Sequence, residues 1–204
     1  RRQRQMCIRD RIYGGKKKLA GLPATYTENE EEATSLDITL HDSVMDTDLV
    51  LTYSVYEDYP VVTRSARLVQ KGDQKIRLEN VMSAAVEFPD MDYEMIHLSG
   101  AWARERYVKT RKLEMGIQAV QSLAGTGSSS EQNPFIALKR PHTTEDTGEV
   151  FGFSFVYSGN FLAQVEVSTY EMTRVMMGIN PQGFSWELSR DEEFQTPEVV
   201  MVYS

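Results

Sequence analysis

Few residues in this chain have the type and spacing for acid–base or metal chemistry. His41, His97 and His142 lie far apart, and none stands at a ligand spacing from a carboxylate, so no metal site is expected. Cys7 is the only cysteine, which excludes an internal disulfide and a cysteine-based zinc site and fits a reducing, cytoplasmic compartment. The run ENEEEA that ends at Ala33 reads as a solvated acidic loop, and DMDYE at 90–94 lacks the glycine and the length of a calcium-binding hand. No G-x-S-x-G elbow and no phosphate loop occurs, and no cofactor is expected.

Two stretches suit recognition better than catalysis. HLSGAWARERYVKTR, 97–111, begins at His97 and sets Trp102 among alternating Arg and Glu. On a strand, Arg104 and Arg106 fall on one face with Trp102 and Tyr107 nearby, giving planar donors and an aromatic face suited to sugar hydroxyls or another domain. The same pattern reads as a cross-strand ion-pair ladder, which periodicity alone favours. In SSSEQNPF, 128–135, Asn133-Pro134 starts a turn and Phe135 enters a strand. Gln132 and Asn133 there either bind a ligand or cap the loop.

The elements that must position these stretches are strands. Apolar residues recur with a period of two almost throughout, the mark of strands with one buried face. TSLDITLHD aligns Leu36, Ile38 and Leu40, DLVLTYSVYED aligns Leu49, Leu51, Tyr53 and Val55, and the polar link HDSVMD joins them as a predicted hairpin. In EVFGFSFVYSGNFLAQVEV, Phe151, Phe153, Phe155 and Tyr157 precede Ser158-Gly159-Asn160, and Phe161, Ala163, Val165 and Val167 follow it. That turn chemistry predicts a second hairpin. Further strands are predicted at 60–70, 75–88, 103–111, 172–180 and 194–203. The best helical candidate, 113–123, is interrupted by Gly116, and AGTGSSSEQNP, 124–134, reads as a loop. Many strands with no helices between them predict one all-β domain of antiparallel sheets packed as a sandwich.

Hydrophobic content of 41% with 25% charged residues is that of a globular chain. The apolar runs fall far short of the roughly 20 residues that cross a bilayer. The opening has a different composition. Residues 1–18 hold eight Arg and Lys against Asp10, whereas the rest of the chain holds fourteen basic and twenty-nine acidic residues. A net charge of -8 repels polyanions, and Met6, Cys7 and Ile8 are too short a run for a secretory signal, so nucleic acid, membrane and secretion are set aside. MCIRDR instead resembles the translation of a transposase end sequence used in DNA library preparation. Residues 1–11 are therefore expected to be a construction scar, and 12–204 a partial domain missing its first strands. EVVMVYS, 198–204, is an alternating apolar run without a polar tail, in keeping with a fragment.

GLPATY (21–26), HLSGAWARER (97–106), QNPF (132–135), GEVFGFSFVYSGNFLAQVEV (148–167), GINPQGFSW (178–186) and FQTPEVVMVYS (194–204) occur in an order that resembles the amino-terminal domain of glycoside hydrolase family 36, the bacterial α-galactosidases. Family members carry histidines before NPF, where this chain has Ser130, Glu131 and Gln132. The resemblance implies a β-supersandwich like that of galactose mutarotase, leading into a (β/α)8 barrel. That barrel supplies an Asp nucleophile in K-W-D and an Asp acid/base in S-D-x-x-D, and neither motif occurs here. It further implies a non-catalytic domain that packs on its own barrel, shapes the pocket for α-galactosides such as melibiose and raffinose, and joins a homo-oligomer, a tetramer by resemblance. His97, Trp102, Arg104, Arg106, Asn133 and Phe135 are the expected barrel or pocket-rim contacts. The alternatives are a free-standing carbohydrate-binding sandwich and a mutarotase-like epimerase; the latter needs a His and Glu pair that the scattered histidines do not suggest.

Overall fold

The computed structural model describes residues 6–204. In chain order the strands are β1 (Met6–Gly14), β2 (Ala33–Asp42), β3 (Thr47–Tyr56), β4 (Val61–Gln70), β5 (Ile76–Leu78), β6 (Met82–Phe88), β7 (Glu94–Ala101), β8 (Arg104–Lys112), β9 (Gly116–Ser122), β10 (Gln132–Lys139), β11 (Val150–Val156), β12 (Phe161–Val167), β13 (Thr173–Ile179), β14 (Trp186–Leu188), β15 (Glu193–Gln195) and β16 (Glu198–Tyr203). A large antiparallel sheet runs β1-β2-β3-β4-β16-β11-β10-β7-β8, with β15 also on β4. A second sheet, β6-β13-β12-β9, lies across one of its faces, and β5 pairs with β14. The expected all-β sandwich is what forms. Among the described residues the α-helix Ser128–Glu131 is a single turn inside the expected loop. Among the described residues no helix is long and apolar enough to cross a membrane.

The core lies between the sheets. Met95, Ile136, Leu138, Phe153, Phe155 and Val199 from the large sheet meet Phe161, Ala163, Val165, Val175 and Met177 from the second. Phe161, Met95, Leu138 and Met177 are fully buried. Phe88 stands edge-on to Tyr93, Phe151 and Phe153 at one end of this layer.

The hairpin predicted from β2 and β3 is present, in register from Ala33↔Tyr56 to Asp42↔Thr47. The second predicted hairpin is not. β11 pairs with β10 and β16, while β12 pairs with β13 and β9, so Ser158-Gly159-Asn160 carries the chain from one sheet to the other. The physical reason is that both strands bury their aromatic and aliphatic faces. An arch lets Phe153 and Phe155 face Phe161 and Val165 across the core, whereas a hairpin would set them side by side. Two predicted strands are each divided. The 75–88 segment becomes β5 and β6 in different sheets, and 194–203 breaks at Thr196-Pro197, where proline has no N–H to give. Ala66 bonds across that break, with its N–H to Thr196 Oγ1 at 2.9 Å and its carbonyl to the Thr196 N–H at 2.8 Å.

Of the residues read as a scar, 1–5 lie outside the described residues and 6–11 occupy β1, which pairs with β2 from Met6↔Asp42 onward. The apolar side of β1–β3 is also distinctive. Leu36, Ile38, Leu40, Leu49, Leu51 and Tyr53 are only half-buried, and Ile8, Ile12 and Val55 are exposed.

Candidate functional site

β7 and β8 form a hairpin at one edge of the large sheet, and all nine residues of β8 are exposed. Trp102 caps it at 86% exposure, next to Ala103 with a left-handed φ of 62°. Ala101 pairs with Arg104 and Ser99 with Tyr107, so Glu105 and Arg106 together oppose Gly100. This is a β-bulge, and Arg106 takes a φ of 61° to make it. A Cβ at Gly100 would collide with the Arg104 carbonyl and lie 2.7 Å from Glu105 Cα, so the bulge requires glycine there. The extra residue corrects the expected face-sharing: Arg104 keeps step with Tyr107 and Lys109, not with Arg106. The ladder reading fails too, because among the described residues no carboxylate pairs with Arg104, Arg106, Lys109 or Arg111.

His97, 5% exposed, anchors this hairpin to the body. Its Nε2 accepts a hydrogen bond from Arg111 Nε at 3.0 Å, which leaves the ring proton on Nδ1. Nδ1–H then donates to Ser99 Oγ at 2.9 Å, and the Ser99 hydroxyl donates to Gln132 Oε1 at 2.8 Å. Burial, then the nearby Arg111 and Lys109, push the imidazole below its ordinary value and keep it neutral. Both ring nitrogens of His97 are thus engaged within the fold.

Of the expected contacts, the structure puts His97 opposite Lys109, in one network with Ser99 and Gln132, and Arg104 opposite Ala101 nearer the tip. Asn133 is half-buried in the irregular start of β10, where the pairing with β7 shifts between Gln132 and Ile136. Phe135 pairs with Ser154 beside Gly152, on the side of β10 opposite Ile136 and His97. It is therefore separate from the hairpin face.

The other two histidines stand elsewhere. His41 Nδ1 lies 2.7 Å from Asp48 Oδ1, and Lys71 Nζ is 2.5 Å from Asp48 Oδ2; burial pushes that carboxyl up, but the hydrogen bonds from Lys71 and His41 together outweigh it and hold it below its usual range. His142 sits in a loop with φ 66°. The 90–94 acids are engaged by an arginine. Arg140 grips Asp90 through two bonds of 2.5 and 3.1 Å, reaches Glu149 at 3.0 Å, and lies 3.9 Å from the Tyr93 ring. Among the described residues no group of three His, Cys, Asp or Glu is placed to hold a metal ion.

A further polar region was missed by sequence reasoning. On the side of the large sheet opposite the core, Ser35, Ser54, Thr63, Ser65 and Glu198 are almost fully buried. Residues 16–26 strap across this face. Lys16 Nζ lies 2.5 Å from Glu198 Oε1, and Glu198 Oε2 accepts bonds from Thr25 N at 2.8 Å and Thr25 Oγ1 at 2.9 Å. GLPATY and FQTPEVV are thus two sides of one contact, and only the order of motifs hinted at it.

Comparison with known proteins gives a consistent picture. The family model described as glycosyl hydrolase family 36 N-terminal domain matches residues 3–189. The chain is 54% identical to alpha-galactosidase AgaA of Geobacillus stearothermophilus over 95% of this chain and 26% of the relative. It is 45% identical to alpha-galactosidase 1 of Pediococcus pentosaceus over the same shares. The crystal structure of AgaA superposes with a TM-score of 0.95 at 51% identity, covering 99% of this chain and 28% of that one. The chain spans about a quarter of the length of the curated relatives it matches.

Proposed function

The chain belongs to the glycosyl hydrolase family 36 N-terminal domain family, and from that premise we propose that it serves as the non-catalytic sandwich of a cytoplasmic α-galactosidase. The whole protein hydrolyses terminal α-galactosides such as melibiose and raffinose with retention, and this domain supports the barrel, the pocket rim and the assembly of identical subunits. A single cysteine supports the reducing compartment. The half-buried apolar side of β1–β3 is available to the remaining length of the chain.

One observation carries the reading. Trp102 is 86% exposed on a hairpin tip that Gly100 and the His97–Ser99–Gln132 network hold rigid. Exposed indoles beside arginines are the usual anchors of an interface, and a rigid tip loses little entropy on docking. Arg104, Arg106, Asn133 and Phe135 are the accompanying candidates. The test uses the full-length enzyme, comparing Trp102→Ala with Glu30→Ala by melibiose hydrolysis and sedimentation. Trp102→Ala is expected to lower kcat/KM about tenfold or dissociate the assembly, which corresponds to about 1.4 kcal/mol of lost interaction. Equal effects of the two substitutions would remove the hairpin from the argument.

A further inference from the structure

Two surface patches of opposite charge find no partner inside this chain. One is an open cleft of about 690 Å³ at the β3–β4 turn, beside the end of the 16–26 strap. Tyr26, Tyr56 and Tyr59 line it, together with Val61 and Val156 and the acids Glu28, Glu32 and Asp58. The Tyr56 hydroxyl is fixed, donating to Thr25 Oγ1 at 2.9 Å, whereas the Tyr26 and Tyr59 side chains stand open to solvent.

No cation offsets these acids. Elsewhere the acidic side chains find partners, as Asp48 does in Lys71, Asp90 in Arg140 and Glu187 in Arg77. Glu32 accepts bonds from the Glu28 N–H at 2.9 Å and from Asn29 Nδ2 at 2.7 Å. Among the described residues, however, no Lys or Arg forms an ion pair with Glu28, Glu32 or Asp58, and none lines the cleft.

The second patch is the β7–β8 hairpin. Arg104, Arg106, Lys109 and Arg111 are exposed there without a carboxylate partner, and Trp102 projects at the tip. A convex tip with an indole and guanidinium groups complements a concave cleft of phenol rings and carboxylates. Guanidinium planes stack on tyrosine rings and pair with carboxylates, while the indole suits the apolar part at Val61 and Val156. The two patches cannot meet within one chain, because β16, β11, β10 and β7 lie between β4 and β8, a separation of about 24 Å at the usual strand spacing.

We propose that the Trp102 hairpin of one copy of this chain docks in the tyrosine cleft of a second copy. This rests on the reading of the hairpin as an interface and names the surface that receives it. Each copy offers one hairpin and one cleft, so the contact is heterologous and joins copies head to tail. Charge supplies the specificity.

The test is sedimentation of the 204-residue chain and two charge-reversed variants, strand content being checked first by circular dichroism. One variant carries Arg104→Glu with Arg106→Glu, the other Glu28→Lys with Asp58→Lys. Each alone sets like charges across the contact and is expected to associate about tenfold more weakly than the native chain, or worse. Mixed in equal amounts, the two meet opposite charges at both contacts, and association returns. A monomeric native chain, variants that associate as it does, or a mixture that stays apart would overturn the proposal. If only the hairpin variant associates weakly, the hairpin meets some other surface: this inference falls and the interface reading stands. The interface reading itself is judged by Trp102→Ala in the full-length enzyme. Should the isolated chain not fold, p-benzoylphenylalanine in place of Trp102 in the full-length protein decides, irradiated in a mixture of isotopically labelled and unlabelled copies. Cross-links between copies to residues 24–32 or 56–61 support the contact, and cross-links elsewhere only, or none, refute it.

Discussion

The large sheet is built in two halves that treat their faces oppositely. In the β16-β11-β10-β7 half, the apolar face is covered by the second sheet and fully buried, as at Phe155, Ile136 and Leu138. In the β1–β4 half, the polar face is the buried one, with Ser54 and Thr63 under the strap that Glu198 of neighbouring β16 holds, while Leu36, Ile38 and Leu51 remain half-open. Alternation therefore states that a strand has two unlike faces. Which face is covered within the chain depends on what else the chain lays across it.

The largest expected effect separates the halves directly. Phe155→Ala empties a ring-sized space between the sheets and is expected to cost about 4 kcal/mol in urea unfolding, whereas Ile38→Ala on the open face costs less than about 1 kcal/mol. Similar losses would merge the two halves. The next substitution examines the inverted half. Glu198→Ala strands a buried Lys16 and is expected to cost about 3 kcal/mol, and the paired replacement Lys16→Met with Glu198→Leu recovers most of it. If the pair fares no better than the single change, the Coulombic coupling is not what holds the strap.

A smaller effect concerns the hairpin that extends the covered half. His97 has a folded value below the ordinary 6.5, so over the interval between the two the unfolded chain binds more protons. Stability is full above the ordinary histidine range, falls as pH drops through it, and levels off below the depressed folded value. The urea midpoint measured down to about pH 5 is expected to show this slope in the native chain and to lose it in His97→Gln. An unchanged slope would show that His97 is not the group responsible.

The covered half was legible because apolar alternation and burial coincide there: Phe153, Phe155, Phe161 and Val165 declare both strand and core. Their pairing was not legible, since Ser158-Gly159-Asn160 says that the chain reverses but not whether the two arms bond or stack. The inverted half was misread for a different reason. Ser54, Thr63 and Glu198 look like surface residues until Lys16 and Thr25, distant in sequence, are laid against them. At the hairpin, Trp102 and the arginines were recognisable by type, but the bulge that divides Arg104 from Arg106 depends on a close approach at Gly100. Phe135 shared a motif with Gln132 and Asn133 yet took the other face, as the shift in strand pairing before Ile136 makes possible.

The arch between β11 and β12 also has a temporal consequence. Because neighbours in sequence enter different sheets, closure depends on distant partners: β4 must wait for β16, and Arg64 for Val199. At about 10 residues per second of synthesis, the far edge of β4 stays unpaired for more than ten seconds after it is made. Such high contact order slows folding and leaves a sticky strand exposed to other nascent chains. The ribosome's pace and the chaperones near its exit thus become part of what this topology requires.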